Sequence, residues 1–144
     1  MTTIILIRHA ERDDLGEDPN PSLNEAGKKR AQKLLHVLGS AGIKAIYTSH
    51  YIRTKETAEP LATRLNLVAT VIDEPSKIKN DIMAKHKGET VLVVGHTDTV
   101  PELINLLGGI ITHIKDNEFD NLFVATLFEQ VGILITQLKY GEPN

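Results

Sequence analysis

A histidine among charged residues closes the first hydrophobic run of this sequence. Residues 8–12 read Arg-His-Ala-Glu-Arg, directly after an apolar stretch. Arginine offers a planar fork of donors that fits phosphate oxygens, and histidine is the side chain most easily held neutral and nucleophilic near neutral pH. Two cations beside one histidine are unfavourable unless an anion binds between them, and they also disfavour the imidazolium. The pattern indicates phosphate chemistry at His9.

A second histidine follows another apolar run. Residues 91–95 read Val-Leu-Val-Val-Gly and lead into His96, and Arg53 comes shortly after the apolar segment 43–48. Taken alone, Arg53 would be interpreted as a surface helix residue. If the preceding segments are parallel strands, however, His9, Arg53 and His96 lie at one rim of the sheet, where α/β proteins bind ligands.

The spacing of apolar residues predicts the strands and helices that would position these residues. Compact or β-branched apolar runs predict strands at 3–8, 43–48, 67–72, 90–95, 122–128 and 133–138. Between these strands, apolar residues at helical spacing predict four helices. The first starts near residues 22–25, the second passes through Pro60, the third covers 75–87 and the fourth covers 99–107. Ser22 and Glu25 form a capping-box signature for the first helix, which should end near Gly39 or Gly42.

This alternation predicts the fold class. Strands that alternate with helices are typical of a three-layer α/β/α sandwich with a mainly parallel sheet. The last two strands are separated by a short turn, so they should pair antiparallel at one edge of the sheet. No repeat or linker divides the 144 residues, which we interpret as one domain, 1–144.

Composition excludes several classes of protein. The chain has 16 basic and 19 acidic residues, 4% aromatics and no cysteine. A basic surface with stacking rings, typical of nucleic-acid binders, is therefore not expected, nor are disulfides or thiolate chemistry. No apolar run reaches the roughly 20 residues of a membrane span, and no leader pattern opens the sequence. We expect a cytoplasmic protein that binds neither nucleic acid nor membrane.

Other histidines and a basic cluster have a simpler interpretation. His36 and His86 are expected on the surface, and His113 lies in a loop. His50 also lies in a loop near the predicted rim and is the better candidate for a substrate contact. The cluster at residues 28–30, Lys-Lys-Arg, reads as a solvated helix face.

Four segments, in order, resemble motifs of the histidine phosphatase superfamily, whose members include the phosphoglycerate mutases. Residues 8–11 (Arg-His-Ala-Glu) resemble its first signature, and 47–61, with Thr-Ser and Arg53-Thr54, resemble its second-arginine segment. Residues 93–103 (Val-Val-Gly-His-Thr-Asp-Thr-Val-Pro-Glu-Leu) are similar to its second-histidine segment, and 24–27 with Gln32 also fit. The chain is most similar to small, uncapped, phosphohistidine-type phosphatases, which implies a phosphoglycerate mutase-like fold.

The resemblance implies a role for each matching residue. His9 would attack phosphorus and carry the phosphoryl group, while Arg8, Arg53 and His96 would bind its oxygens. Arg12 is implied as a further ligand, because some members have an arginine there. Such a site needs fixed positive donors and an in-line nucleophile, and neither a metal nor a cofactor is implied.

The proton donor to the leaving group is where the sequence departs from the family pattern. Many members carry a glutamate in an insertion that this chain lacks, and another branch has an aspartate directly after the second histidine, where this chain has threonine. Asp98 is the favoured donor by position, and Glu11, Glu74 and Asp81 are the alternatives. The missing insertion also predicts little or no cap over the site.

We therefore interpret the sequence as a metal-independent phosphatase that hydrolyses a phosphomonoester or phosphoramidate through phosphohistidine on His9. Its substrate would be a phosphorylated small molecule or a phosphoprotein. The alternatives are a weakly catalytic, phosphate-binding scaffold on the same fold and, less favoured, a phosphoglycerate mutase, since fold does not fix function. The sequence leaves the oligomeric state open.

Overall fold

The structure, a computed structural model, describes residues 1–14, 16–111 and 113–144. It contains a six-stranded sheet and four helices within those residues. The strands are β1 (Thr2–Arg8), β2 (Ile43–Thr48), β3 (Thr70–Val71), β4 (Thr90–Gly95), β5 (Asn121–Phe128) and β6 (Gly132–Lys139). The helices are α1 (Glu25–Leu38), α2 (Ile52–Leu65), α3 (Pro75–Lys85) and α4 (Thr99–Leu106).

The strand order is β3-β2-β4-β1-β5-β6. The first four strands in that order are parallel to one another, whereas β5 pairs antiparallel with β1 and β6 pairs antiparallel with β5. The predicted fold class, a mainly parallel sheet with an antiparallel pair at one edge, is confirmed. Parallel β1, β2 and β4 end side by side, so the segments that follow them meet at one rim.

Helices cover both faces of the sheet, because alternate residues of each buried strand point to opposite sides. In β1, Ile4 and Leu6 pack with the apolar residues of α3 and α4, while Ile5 and Ile7 pack with those of α1 and α2. All four side chains are at most 4% exposed. The sheet that presents the rim is therefore anchored in two hydrophobic cores.

Two local predictions need correction. The N-cap of α1 is Asn24, whose side chain accepts from the backbone N–H of Gly27 at 2.9 Å, so Ser22 does not cap the helix. Asparagine is as good an N-cap as serine, and here it lies one residue before the first helical turn. The third strand covers only Thr70–Val71, not 67–72, because it pairs with β2 alone at the edge of the sheet.

A glycine brings α1 close to the first strand. A Cβ atom at Gly27 would collide with the backbone oxygen of Glu11, so only glycine permits this approach. The first turn of α1 thereby packs directly against the segment that follows β1. Among the described residues, no helix is both long and apolar enough to cross a membrane.

Candidate active site

The rim where β1, β2 and β4 end forms a cleft of about 900 Å³. Its lining includes His9, Arg53 and His96, which the sequence placed at the same rim. His9 directly follows β1, Arg53 lies in the first turn of α2 and His96 directly follows β4. The structure thus brings together three side chains that are far apart in the chain.

His9 is held as a neutral imidazole with one nitrogen free. It is 4% exposed, and its Nδ1 lies 2.8 Å from the carbonyl oxygen of Ala10. A carbonyl can only accept, so Nδ1 carries the hydrogen and the lone pair is on Nε2. Burial, with further contributions from the charges of Arg8 and Arg53, lowers the pKa of His9 to about 3. A free lone pair at neutral pH is what a nucleophile requires.

The backbone around His9 is also fixed. The His9 N–H donates to the carbonyl of Gly95 at 2.9 Å, which extends the pairing of β1 with β4. The next N–H, of Ala10, donates at 2.9 Å to the hydroxyl of Thr57 in α2. His9 therefore has its position set by two neighbouring elements, β4 and α2.

Arg8 is clamped by the segment that precedes β5. Its guanidinium carbon lies 3.9 Å from the centre of the Phe119 ring, a cation–π contact. Its Nη1 donates to three carbonyl oxygens, those of Lys115 at 3.4 Å, Asp116 at 2.7 Å and Glu118 at 2.9 Å. Its Nε is buried and has no hydrogen-bond partner among the described residues. The guanidinium is thus held rigidly, and its buried Nε is available to a ligand.

Arg53 offers two more such donors. Its guanidinium carbon lies 4.2 Å from the centre of the Tyr51 ring. Its Nε and Nη1 are buried and lack hydrogen-bond partners in the described part of the chain. Burial, and next the charge of Arg12, lowers the pKa of Arg53 below its usual value. Unpaired buried donors are costly, and an oxyanion between the two arginines would satisfy them.

A chain of hydroxyl groups orients His96. Thr54 Oγ1–H donates to the carbonyl of Tyr51 at 2.9 Å and can then accept from Ser49 Oγ–H at 2.9 Å. Ser49 Oγ in turn lies 2.9 Å from Nε2 of His96. These contacts hold the His96 ring in one orientation, with Nε2 directed at Ser49. Burial, and next Arg53, lowers the pKa of His96 to about 4.

Glu11 lines the cleft but its carboxylate is committed to Arg30. Arg30 Nε donates to Oε1 at 2.8 Å and Arg30 Nη2 donates to Oε2 at 3.0 Å, which makes a bidentate salt bridge. Hydrogen bonds from Arg30 hold the pKa of Glu11 below its usual value despite burial. Arg30 is 3% exposed, so the prediction that residues 28–30 form a solvated face is wrong at this position. The ionised, paired Glu11 is poorly suited to donate a proton.

The other predicted acids lie in different surroundings. Asp98 is exposed at the cleft and its carboxylate accepts from the N–H of Thr99 at 2.9 Å, at the start of α4. Glu74 pairs with Lys77 at 3.2 Å and does not line the cleft. Asp81 accepts from the hydroxyl of Tyr47 at 2.7 Å, also away from the cleft lining.

The remaining predicted contacts flank the cleft. Arg12 lines it, half-exposed, with its Nε 3.7 Å from a carboxylate oxygen of Asp14. His50 also lines it and contacts Asp73, which belongs to the same lining. His113 is exposed and is not among the residues of the cleft.

A sequence profile of the histidine phosphatase superfamily (branch 1) matches residues 4–77, which is more than half of the chain. The chain belongs to the histidine phosphatase superfamily. The matched stretch contains the first histidine and both arginines of this histidine phosphatase site, whereas His96 lies beyond it. No curated protein matches the chain in sequence.

Solved structures share the fold of this histidine phosphatase over nearly its whole length. The protein histidine phosphatase SixA complexed with tungstate is 22% identical, with a TM-score of 0.76, over 95% of this chain and 96% of that chain. A phosphoserine phosphatase from Entamoeba histolytica, in complex with 3-phosphoglyceric acid, is 15% identical with a TM-score of 0.73, over 99% and 98%. A mycobacterial glucosyl-3-phosphoglycerate phosphatase in complex with inorganic phosphate is 14% identical with a TM-score of 0.73, over 98% and 97%.

Sequence reasoning missed three members of the site. Phe119 stacks on Arg8 from a segment that carries no motif, Ser49 orients His96, and Asp73 lines the cleft beside His50. A signal existed for Ser49, which lies within the second-arginine segment, and for Asp73, which directly follows a predicted strand. Phe119 offered none, because its contact joins positions more than a hundred residues apart.

Proposed function

We propose that this protein is a metal-independent phosphatase that hydrolyses a phosphomonoester or phosphoramidate through a phosphohistidine on His9. The observation that carries the proposal is the state of His9: buried, neutral, with Nδ1–H bonded to Ala10 and Nε2 left as the nucleophile. Attack by Nε2 on phosphorus would displace the leaving group, and water would then release phosphate from the phosphohistidine. The reaction is thereby divided into two easier displacements.

The surrounding donors suit the charge of a transferring phosphoryl group. Its negative charge is spread over three oxygens, and fixed donors that need no reorganisation stabilise it most. Arg8 contributes one unpaired buried nitrogen and Arg53 contributes two. Burial, and next the charges of Arg53 and Arg8, lower the pKa of His96, and a bound dianion would offset the effect of the arginines and favour a proton on His96 that it can donate to an oxygen.

Two other members of the fold add support from their ligands. SixA is complexed with tungstate and the mycobacterial phosphatase with inorganic phosphate, both of them tetrahedral oxyanions. We propose that the same class of anion binds here, among Arg8, Arg53 and His96. A phosphate-binding scaffold would need these cations too, but it would not need a histidine with its free nitrogen fixed.

The charge of the cleft argues against a mutase. Besides its three arginines, Arg8, Arg12 and Arg53, its lining contains four carboxylates other than Glu11, namely Asp14, Asp73, Asp98 and Asp116. These charges would repel a leaving group that carries a carboxylate of its own, such as a phosphoglycerate. The connection between β3 and α3 covers only residues 72–74, so no covering insertion arises there. Water should reach the intermediate, which favours hydrolysis over transfer.

Steady-state assays test the proposal. The protein should hydrolyse p-nitrophenyl phosphate, vanadate should inhibit it, and His9→Ala should abolish turnover because no nitrogen remains to accept the phosphoryl group. Arg53→Gln should weaken vanadate inhibition, and His36→Gln, on the exposed side of α1, serves as the matched control. Turnover that persists in His9→Ala would refute the covalent route, and efficient interconversion of phosphoglycerates would favour the mutase instead.

A further inference from the structure

The side of the cleft formed by β2, β3 and the start of α2 holds a histidine–carboxylate pair that the reaction outlined above does not use. Asp73 Oδ1 accepts two hydrogen bonds from one residue, from the backbone N–H of His50 at 2.8 Å and from its ring Nδ1 at 2.9 Å. Two bonds to one oxygen fix both the backbone and the ring of His50. The carboxylate also sets the tautomer, because only a protonated Nδ1 can donate to it.

Aromatic contacts direct this pair toward the phosphate-binding residues. The His50 ring stacks on Tyr51, with ring centres 4.1 Å apart, and Tyr51 meets the ring of His96 edge-on at 5.1 Å. Tyr51 also lies under the guanidinium of Arg53 at 4.2 Å. His50 is thus one ring removed from His96, and its side chain, 57% exposed, lines the same cleft.

We propose that His50 is the proton donor to the leaving group and that Asp73 is its positioning residue. This inference rests on the proposed function, since it assigns the leaving-group side of the same reaction. With Nδ1–H committed to Asp73, the second nitrogen, Nε2, is the one free to exchange a proton with a ligand in the cleft. A carboxylate that orients a histidine in this way is a recurring arrangement for general acid–base work.

The proton and electron balance is complete with these groups and water. In the first step a bond forms between His9 Nε2 and phosphorus while the bond from phosphorus to the leaving oxygen or nitrogen breaks. The electron pair of that bond stays on the leaving atom, which takes the proton from His50 Nε2. In the second step His50 takes a proton from water as the water oxygen attacks phosphorus, and the bond to His9 breaks with its electron pair returning to Nε2.

Three carboxyl groups that line the cleft are less well placed for this role. Hydrogen bonds from the backbone and then the ring of His50 lower the pKa of Asp73, so this carboxyl is a poor donor itself. Glu11 is paired with Arg30, and Asp98 bonds to the backbone at the start of α4. Both oxygens of Glu11 accept from Arg30, whereas Nε2 of His50 has no partner among the described residues and Asp73 holds its ring in place.

Leaving-group dependence tests the assignment. His50→Gln should lower kcat/KM on an alkyl phosphate by about 100-fold or more, since general acids contribute about that much when the leaving group is poor. The same variant should stay within about threefold of wild type on p-nitrophenyl phosphate, whose phenolate leaves unaided. Asp73→Asn should show the same split at a smaller size, about tenfold, because the amide oxygen still accepts from Nδ1 but carries no charge.

The outcomes separate this inference from the function on which it rests. If wild type hydrolyses neither substrate, the proposed function fails. If wild type is active and His50→Gln slows both substrates equally, or slows neither, His50 is not the donor. A selective loss in Asp98→Asn with none in His50→Gln would assign the proton to Asp98 and overturn the proposal. His36→Gln controls for the loss of an exposed histidine as such.

Discussion

Replacing the buried His9 by glutamine should change how the stability of the protein depends on pH. His9 is 4% exposed and its folded pKa is about 3, chiefly through burial. The unfolded value is about 6.5, so the unfolded state binds the proton more strongly below that pH. Wild type must therefore lose stability as the pH falls. The neutral, buried His9 stabilises the folded state fully only above the unfolded pKa of about 6.5, and this contribution is lost progressively as the pH falls toward the folded pKa of about 3.

The size of the effect follows from the two pKa values. Between about pH 7 and about pH 4.5, linkage predicts that His9 alone costs wild type about 2.5 kcal/mol of unfolding free energy. Glutamine does not titrate, so His9→Gln lacks this loss. His96, with a pKa of about 4, is present in both proteins and largely cancels in the comparison.

Urea unfolding of wild type and His9→Gln at both pH values measures the difference. On acidification from pH about 7 to about 4.5, we expect the free energy of unfolding of wild type to fall by about 2.5 kcal/mol more than that of His9→Gln. The slope of the free energy of unfolding against urea concentration should stay the same. His36→Gln, on an exposed position of α1, should follow wild type. Parallel acid profiles for wild type and His9→Gln would show that His9 is not held neutral, and would refute the reasoning about the nucleophile.

Three further predictions concern the groups around His9. Ser49→Ala should lower kcat/KM for p-nitrophenyl phosphate about tenfold, the value of one hydrogen bond, because His96 loses the hydroxyl partner that orients it; an unchanged rate would contradict this role. Arg30→Met should lower the free energy of unfolding by about 3 kcal/mol, measured in urea, since it breaks the pair between the buried Arg30 and the partly buried Glu11; a loss under about 1 kcal/mol would show that the pair is dispensable. EDTA should leave phosphatase activity intact, whereas loss restored by a divalent metal would contradict a reaction driven by arginine charges.

The rim of the sheet was predictable because it depends on local patterns. Apolar runs before His9 and His96 identify buried strands, and parallel strands place their carboxyl ends together whatever the details of packing. The arrangement of these two histidines with Arg53 follows from strand order and direction. Their individual hydrogen bonds do not, since the contact of His9 Nδ1 with the Ala10 carbonyl depends on the local backbone conformation and the contact of His96 Nε2 with Ser49 joins two different strand ends.

Residues whose partners lie far along the chain were not predictable. Arg30 sits in a run of basic residues on a helix, yet it bonds to Glu11, 19 residues away, and to the carbonyl of Tyr140, 110 residues away. Phe119 has no motif, and its contacts in the site, with Arg8 and with the ring of His9, join positions more than a hundred residues apart. The length of the edge strand β3 was not predictable either, because it pairs with β2 only at Thr70–Val71 and adds one backbone bond, from the N–H of Ile72 to the carbonyl of Thr48.

Trapping the phosphoenzyme tests the central claim most directly. Brief reaction with a phosphorus-labelled substrate, followed by denaturation, should leave label on the protein that is stable in base and lost in acid, as a phosphoramidate bond is. Peptide mapping should place the label on His9, and His9→Ala should carry none while still unfolding cooperatively in urea. Label on another residue, or full turnover in His9→Ala with no labelled protein, would contradict the account.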